Sequence, residues 1–167
     1  NISIDLMYGL PGQTTKIWEQ NLKQATNLNI QHLSAYHLIY EKKTLMYSML
    51  KIGKIQPVDE EVRTAMFSIL IDWMTLHHFI HYEISAFAKE GYFSDHNMSY
   101  WKGNKYIGLG PAAHSFDGEN RSWNISSLNR YIKGIENEKP EQNSEHLNLN
   151  ERYNEFILTG LRTMWGI

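Results

Sequence analysis

The feature that most constrains this chain is a strand, a turn, a helix and a second strand within its first forty residues. Ile2, Ile4, Leu6 and Tyr8 alternate with Ser3, Asp5 and Met7, the period-two pattern of a strand with two different faces. Gly9-Leu10-Pro11-Gly12 breaks the pattern. Trp18, Leu22, Ala25 and Leu28 then recur at helical spacing. His32–Tyr40 reads as a second strand, largely apolar on both faces, as expected where helices cover the sheet. Strands joined in this way pair in parallel with a right-handed crossover, so the chain is an α/β protein.

The rest of the chain is less regular. A loop around Gly53 and Pro57 leads to a helix with Asp59 as N-cap and Glu60 and Glu61 at its positive end. Val62, Met66, Ile69, Trp73 and Leu76 form its apolar stripe. Phe79–Phe87 is expected to be a strand. From Ala88 to Trp123, Gly, Ser, Asn and aromatic residues dominate, with at most short strands expected. An irregular stretch of that length is usually functional or disordered, and its aromatic content argues against disorder. Leu128, Tyr131, Ile132 and Ile135 predict a short helix, and Asn137–Asn148 is polar and reads as a linker. Asn148-Leu149-Asn150-Glu151 resembles a capping box opening a helix through Phe156, Leu161 and Met164. Both ends read as cut: Asn1 leads directly into a strand, and Met164-Trp165-Gly166-Ile167 is apolar. A first strand with an unpaired edge is expected to make the isolated chain self-associate or leave it marginally stable.

Composition narrows the function classes. The net charge is -2 over 167 residues, which supplies no electrostatic footprint for nucleic acid or an anionic membrane. No apolar run is long enough to span a bilayer, and no secretory signal is visible. There is no cysteine, hence no disulfide framework and no thiolate metal site. Together these place the expected location in the cytoplasm. The 10 Tyr, 6 Phe, 5 Trp, 8 His and 7 Met residues fit a core of large side chains. They also fit a site for a flat ligand, because aromatic rings offer stacking faces and His and Met ligate haem iron.

Asp5 lies mid-strand among apolar residues, where an unpaired carboxylate is costly. It either caps or pairs with a neighbouring element, or accepts hydrogen bonds from a ligand. Gly9-Leu10-Pro11-Gly12-Gln13 ends that strand, the position where α/β sheets bind ligands; it lacks the Lys and the Gly spacing of a phosphate loop. His77, His78 and His81 lack the helical His-x-x-x-His context of a zinc site, which favours a structural role. Ser94–Trp101 places His96, Asn97, Tyr100 and Trp101 close together in a segment read as extended and turn-rich. The imidazole can ligate haem iron and the aromatic pair can cover a porphyrin; the alternative is a loop anchored by its own rings. His114 follows the small-residue run Gly108-Leu109-Gly110-Pro111-Ala112-Ala113, which permits close backbone approach.

Across these residues the chain resembles the oxygen-independent coproporphyrinogen III oxidase family of radical S-adenosylmethionine proteins. The resemblance runs through Asp5–Thr14, Leu33-Ser34-Ala35-Tyr36 with Glu41 and Thr44, and Tyr82–Ala88. It continues through His96–Trp101, Gly108–Ser115, Arg121 with Asn124, and Glu155 with Leu161-Arg162. It implies an α/β fold: the C-terminal part of a partial (β/α) radical SAM barrel, then a mixed α+β region, then the start of a helical C-terminal domain. On that reading residues 1–88 are the last βα units of the barrel and 89–136 a loop-rich aromatic segment with a short helix. Residues 137–148 are then a linker, and 149–167 open the helical domain.

The resemblance further implies S-adenosylmethionine and a [4Fe–4S] cluster in the parent protein, the cluster held by a CxxxCxxC loop absent from this chain. Asp5 and Met7 match S-adenosylmethionine contacts, and Ile39 matches a backbone position near the adenine. His96-Asn97-Met98-Ser99-Tyr100-Trp101 fits the HNxxYW pattern of the family's haem-chaperone branch, whose members bind haem for delivery to accepting proteins. The alternatives are the branch that decarboxylates coproporphyrinogen III and a scaffold segment without activity of its own. The fragment alone is expected to be inactive. Its local departures are His77-His78, where many relatives end the helix on Gly, and Pro111 and Ala112, where Gly-rich variants are common.

Overall fold

The alternation at the start of the chain forms β1 (Ser3–Tyr8) in a computed structural model that describes residues Asn1–Ile167. Thr14 caps α1 (Thr15–Asn27) by accepting the Ile17 N–H, and β2 (His32–His37) then pairs with β1 in parallel. The β2 ladder stops at His37, short of the expected Tyr40, although the Leu38 N–H still donates to the Tyr8 carbonyl at 2.9 Å. A helix not expected from the sequence, α2 (Leu45–Lys51), follows; it is capped by Thr44, and although Leu45, Met46, Met49 and Leu50 are apolar at helical spacing, it buries no residue and is only seven residues long. Next comes α3 (Glu60–Leu76), with Asp59 at the N-cap position but without the side-chain cap bond its identity suggests.

The expected strand Phe79–Phe87 is instead a hairpin, β3 (Ile80–Glu83) and β4 (Ala86–Ala88). The turn between them is held by the Glu83 carboxylate, which accepts the Ser85 N–H at 3.1 Å. No Gly or Asn marks it, which is why a continuous strand was the simpler reading. The sheet order is β1-β2-β4-β3, one parallel pair and two antiparallel pairs, with β1 at an edge. These elements make up the first of two units, Asn1–Ser94.

Helices α1 and α3 cover one face of that sheet. Trp18, Leu22 and Ala25 from α1 meet Met66, Leu70 and Met74 from α3 over Tyr8, Leu33 and Ala35. Leu28 and Leu76, expected in the two stripes, are exposed because each lies at its helix end. The α3 stripe is therefore centred on Leu70 and Met74, with Ile69 and Trp73 at its margin. Trp18 is 0% exposed and donates its indole N–H to the Met66 carbonyl at 2.9 Å. Burying such a ring stabilises the fold by roughly 4–6 kcal/mol at about 25 cal/mol per Å².

The second unit, Asp95–Ile167, starts with α4 (Asp95–Trp101). The structure corrects the expectation that His96–Trp101 is extended: it is a two-turn helix. Its Asn, Ser, His and aromatic residues are weak helix formers, and seven residues are too few to display a period. The legible signals were Ser94-Asp95 before it and Gly103 after it. Three strands follow, β5 (His114–Phe116), β6 (Asn120–Asn124) and β7 (Gln142–His146), in an antiparallel sheet of that order. Between β6 and β7 lies α5 (Leu128–Glu136), as expected. The segment 137–148, read as a linker, thus carries a strand. All five β7 side chains are exposed, and the backbone ladder with β6 and polar cross-strand contacts of Gln142, Glu145 and His146, rather than apolar burial, define it. The final helix, α6 (Leu149–Arg162), opens on the expected capping box of Asn148 and Glu151.

His78 resolves the departure noted above. It occupies the left-handed position after α3 with φ 62, and its N–H and that of Phe79 bond to the Thr75 and Met74 carbonyls. This is a Schellman ending, which glycine satisfies without steric cost. His78 is exposed and its ring supports nothing in the core. The substitution His78→Gly is therefore expected to stabilise the chain by about 1 kcal/mol in urea unfolding; an equal or lower midpoint would contradict this account of the turn.

Candidate functional site

Two regions gather the candidate residues, one in each unit. In the first, β1 and β2 share a register that puts Asp5 opposite Ser34 and Met7 opposite Tyr36. Ile4 and Leu6 pack with the helices, while Asp5 and Met7 are exposed on the opposite face, as strand alternation demands. Ile39 lies in the loop after β2 and is 70% exposed. The turn that ends β1 is built tightly. Gly9 has φ +75, and a Cβ there would lie 2.8 Å from the His37 Nε2, so a side chain would strain the backbone and have to displace the His37 ring. The Gln13 side chain accepts the Leu10 N–H at 3.2 Å and closes the turn.

Below Asp5 on the same face, His32 is buried between two hydroxyls. Its Nδ1 lies 2.8 Å from the Ser3 Oγ and its Nε2 2.8 Å from the Tyr82 hydroxyl. Burial lowers the His32 pKa, and the Asp5 carboxylate only partly opposes this. The other histidines singled out in this unit stand apart. His77 bonds to the Trp73 carbonyl and stacks on its ring, His78 ends α3, and His81 stacks on Phe87 at 4.3 Å.

In the second unit α4 and α6 enclose a cavity of about 790 Å³, within the range of small-molecule sites. Its walls include Tyr100, Trp101, Tyr106, Phe116, Phe156 and Trp165. Tyr100 meets Tyr106 edge-on at 4.8 Å, and the Arg162 guanidinium stacks over Trp101 at 4.3 Å. The Trp101 indole N–H is buried without a hydrogen-bond acceptor, an uncommon state for a buried donor. His96 stands one turn before Tyr100, exposed, with its Nε2 3.2 Å from the Tyr100 hydroxyl. Tyr100 is thus shared by the imidazole contact and the cavity wall; His96 itself does not line the cavity. Asn97 lies beside it on α4 and is half-buried. His114 is on β5, stacked on Trp123 at 5.7 Å, and does not line the cavity either.

Two polar clamps brace this unit, and the sequence marked them only through the family resemblance. Buried Asn124 donates to the Gly108 and Gly110 carbonyls at 3.3 and 2.8 Å and accepts from Gln142 at 2.8 Å. This draws the small-residue loop against β5. A Cβ on Gly108 would fall 2.1 Å from the His114 carbonyl oxygen, so the expected close backbone approach is present. Arg121 grips Glu155 through two bonds of 2.9 and 3.0 Å, tying β6 to α6. Burial works against the Arg121 charge, but Glu155 outweighs it and the guanidinium pKa is raised.

No known family profile matches the chain. It is similar to the protein named "Heme chaperone HemW" of Bacillus subtilis (strain 168), with 38% identity covering 100% of this chain and 44% of that protein. The protein of the same name from Lactococcus lactis subsp. lactis (strain IL1403) is 30% identical, over 100% of this chain and 44% of its own length. The mitochondrial "Radical S-adenosyl methionine domain-containing protein 1" of Danio rerio is 35% identical over 68% of this chain and 26% of its own. Among solved structures, coproporphyrinogen III oxidase (HemN) from Escherichia coli, a radical SAM enzyme, superposes with a TM-score of 0.75 at 18% identity. That match covers 96% of this chain and 40% of the enzyme.

The class of fold is thus a mixed α/β arrangement found in part of a radical SAM enzyme. More particularly, the chain belongs to the HemN/HemW-like radical SAM family. It spans less than half the length of the curated relatives it matches. The family implies S-adenosylmethionine and a [4Fe–4S] cluster for the parent protein, but this segment contains no cysteine and has no thiolate to hold a cluster.

The buried His32 gives a pH test. Its folded pKa lies below the unfolded value of about 6.5, so below that pH the unfolded chain binds more protons than the folded one. The stability contributed by neutral His32 is full above about pH 6.5 and is lost as pH falls toward the folded pKa. The urea midpoint is expected to drop between pH 7.5 and pH 5, with a shallower drop in His32→Gln. An identical pH slope in the variant would show that His32 carries no part of it.

Proposed function

We propose that this chain is the porphyrin-facing segment of a haem chaperone, with its first unit forming the end of a partial radical SAM barrel. The observation that carries the reading is that one short helix, α4, presents an imidazole at His96 and two rings of an aromatic cavity at Tyr100 and Trp101. The relatives matched along the whole chain are named heme chaperones, which supports the same conclusion. The cavity walls suit the group, and His96 stands outside them, joined to the wall through the Tyr100 hydroxyl. A neutral imidazole is a good iron ligand, aromatic walls suit a flat macrocycle, and the Trp101 N–H without an acceptor suits a ligand oxygen. His96 is the proposed iron ligand, with the Tyr100 hydroxyl 3.2 Å from its Nε2; Asn97 is a further haem contact on α4, and His114 is the reserve ligand. When bound, haem is cargo for transfer to an accepting protein. In the first unit, the open face carrying Asp5 and Met7, with Ile39 at its rim, is the proposed S-adenosylmethionine contact of the parent.

Decarboxylation of coproporphyrinogen III, the other activity that the family resemblance implies, is the second reading, and the fold shared with a coproporphyrinogen III oxidase supports it. Haem titration of the full-length protein and its His96→Ala variant, followed at the Soret band, separates the possibilities. The proposed function predicts near-stoichiometric binding by the full-length protein. The variant should show a shifted Soret maximum and a roughly tenfold or greater loss of affinity, about 1.4 kcal/mol. An unchanged spectrum and affinity would remove His96 and direct attention to His114. No haem binding by the full-length protein would favour the enzyme reading.

A further inference from the structure

The cavity of the second unit has a charge pattern that its aromatic walls do not explain. Its charged lining residues are Lys102, Arg121, Arg152 and Glu155. Arg121 holds Glu155 at 2.9 Å, so that pair brings no net charge. Lys102, just past the end of α4, and Arg152, in the first turn of α6, are exposed and take part in no ion pair. An apolar cavity bearing two unmatched cations complements a flat ligand that is apolar in its body and carries two anionic groups.

We propose that Lys102 and Arg152 form a carboxylate-binding rim, and that the cavity takes a dicarboxylate tetrapyrrole with one carboxylate on each side chain. This rests on the haem-binding reading above and narrows it. A tetrapyrrole with four carboxylates leaves two of them without a cation, and one with none leaves both cations unmatched. The two side chains are not equivalent. Arg152 offers a planar fork that holds a carboxylate through two bonds, whereas Lys102 offers a mobile point charge. Arg152 therefore sets the orientation of the macrocycle, and Lys102 adds mainly attraction.

The test uses the full-length protein and metal-free protoporphyrin IX, which has no iron and so takes His96 out of the measurement. Porphyrin fluorescence gives the affinity of the wild type, Lys102→Gln, Arg152→Gln and the double variant, for the diacid and for its dimethyl ester. Each single substitution is expected to weaken the diacid roughly two- to fivefold, as for exposed ion pairs, and the double variant more. The ester is expected to bind all four proteins equally, and raised salt to shrink the differences seen with the diacid. Equal diacid affinities for wild type and double variant, with haem still bound, overturn the rim and leave the haem reading standing. Failure of the wild type to bind either haem or protoporphyrin overturns both. Both substitutions are at exposed positions, and unchanged circular dichroism and melting curves show that a loss of binding is not a loss of fold.

Discussion

The first unit depends on the burial of Trp18. Its ring fills the space between α1, α3 and the sheet, and its N–H satisfies the Met66 carbonyl at 2.9 Å. That contact directs both helices to one face of β1 and β2. The opposite face, with Asp5, Met7, Ser34 and Tyr36, is left without a helix of this unit over it. An unpaired carboxylate in the middle of a strand is costly unless water or a ligand can reach it, as on this face. The position of Asp5 thus follows from the packing of a tryptophan on the other side of the sheet.

The second unit achieves order by different means. Buried apolar side chains are few: α6 buries none of its residues, and α5 only Gly134. Polar clamps replace them. Asn124 satisfies two carbonyls of the Gly108–Gly110 loop, and Arg121 ties β6 to α6 through Glu155. The Arg121–Glu155 clamp forms part of the wall of the space between α4 and α6, which is otherwise walled largely by aromatic rings. An aromatic-rich, loop-rich sequence here produces a cavity rather than a packed core.

What the sequence disclosed followed physical strength of signal. The βαβ unit, the Trp18-Leu22-Ala25 stripe and the Asn148–Glu151 capping box were legible because hydrophobic period and cap chemistry act locally. Helices α2 and α4 were not, since each is seven residues long and α2 buries nothing. Strand β7 is held by its backbone ladder and by polar contacts to β6, with no buried apolar residue, so no hydrophobic alternation announces it. The hairpin of β3 and β4 carries no turn signal in the sequence because a carboxylate, not a glycine, holds its turn. At the cavity, the rings of α4 were legible and their partners were not. Phe156, Trp165 and Arg152 lie some fifty or more residues further along the chain, and only the fold joins them to Tyr100 and Trp101.

The central claim is that α4 and α6 together form the haem site. Hydrogen–deuterium exchange of the full-length protein, with and without haem, tests it without relying on any single ligand residue. The account predicts slower amide exchange on haem addition in residues 95–104 and 149–163. Slowing confined to the strand ends at 8–13 and 37–44, or no slowing in either α4 or α6, would contradict it.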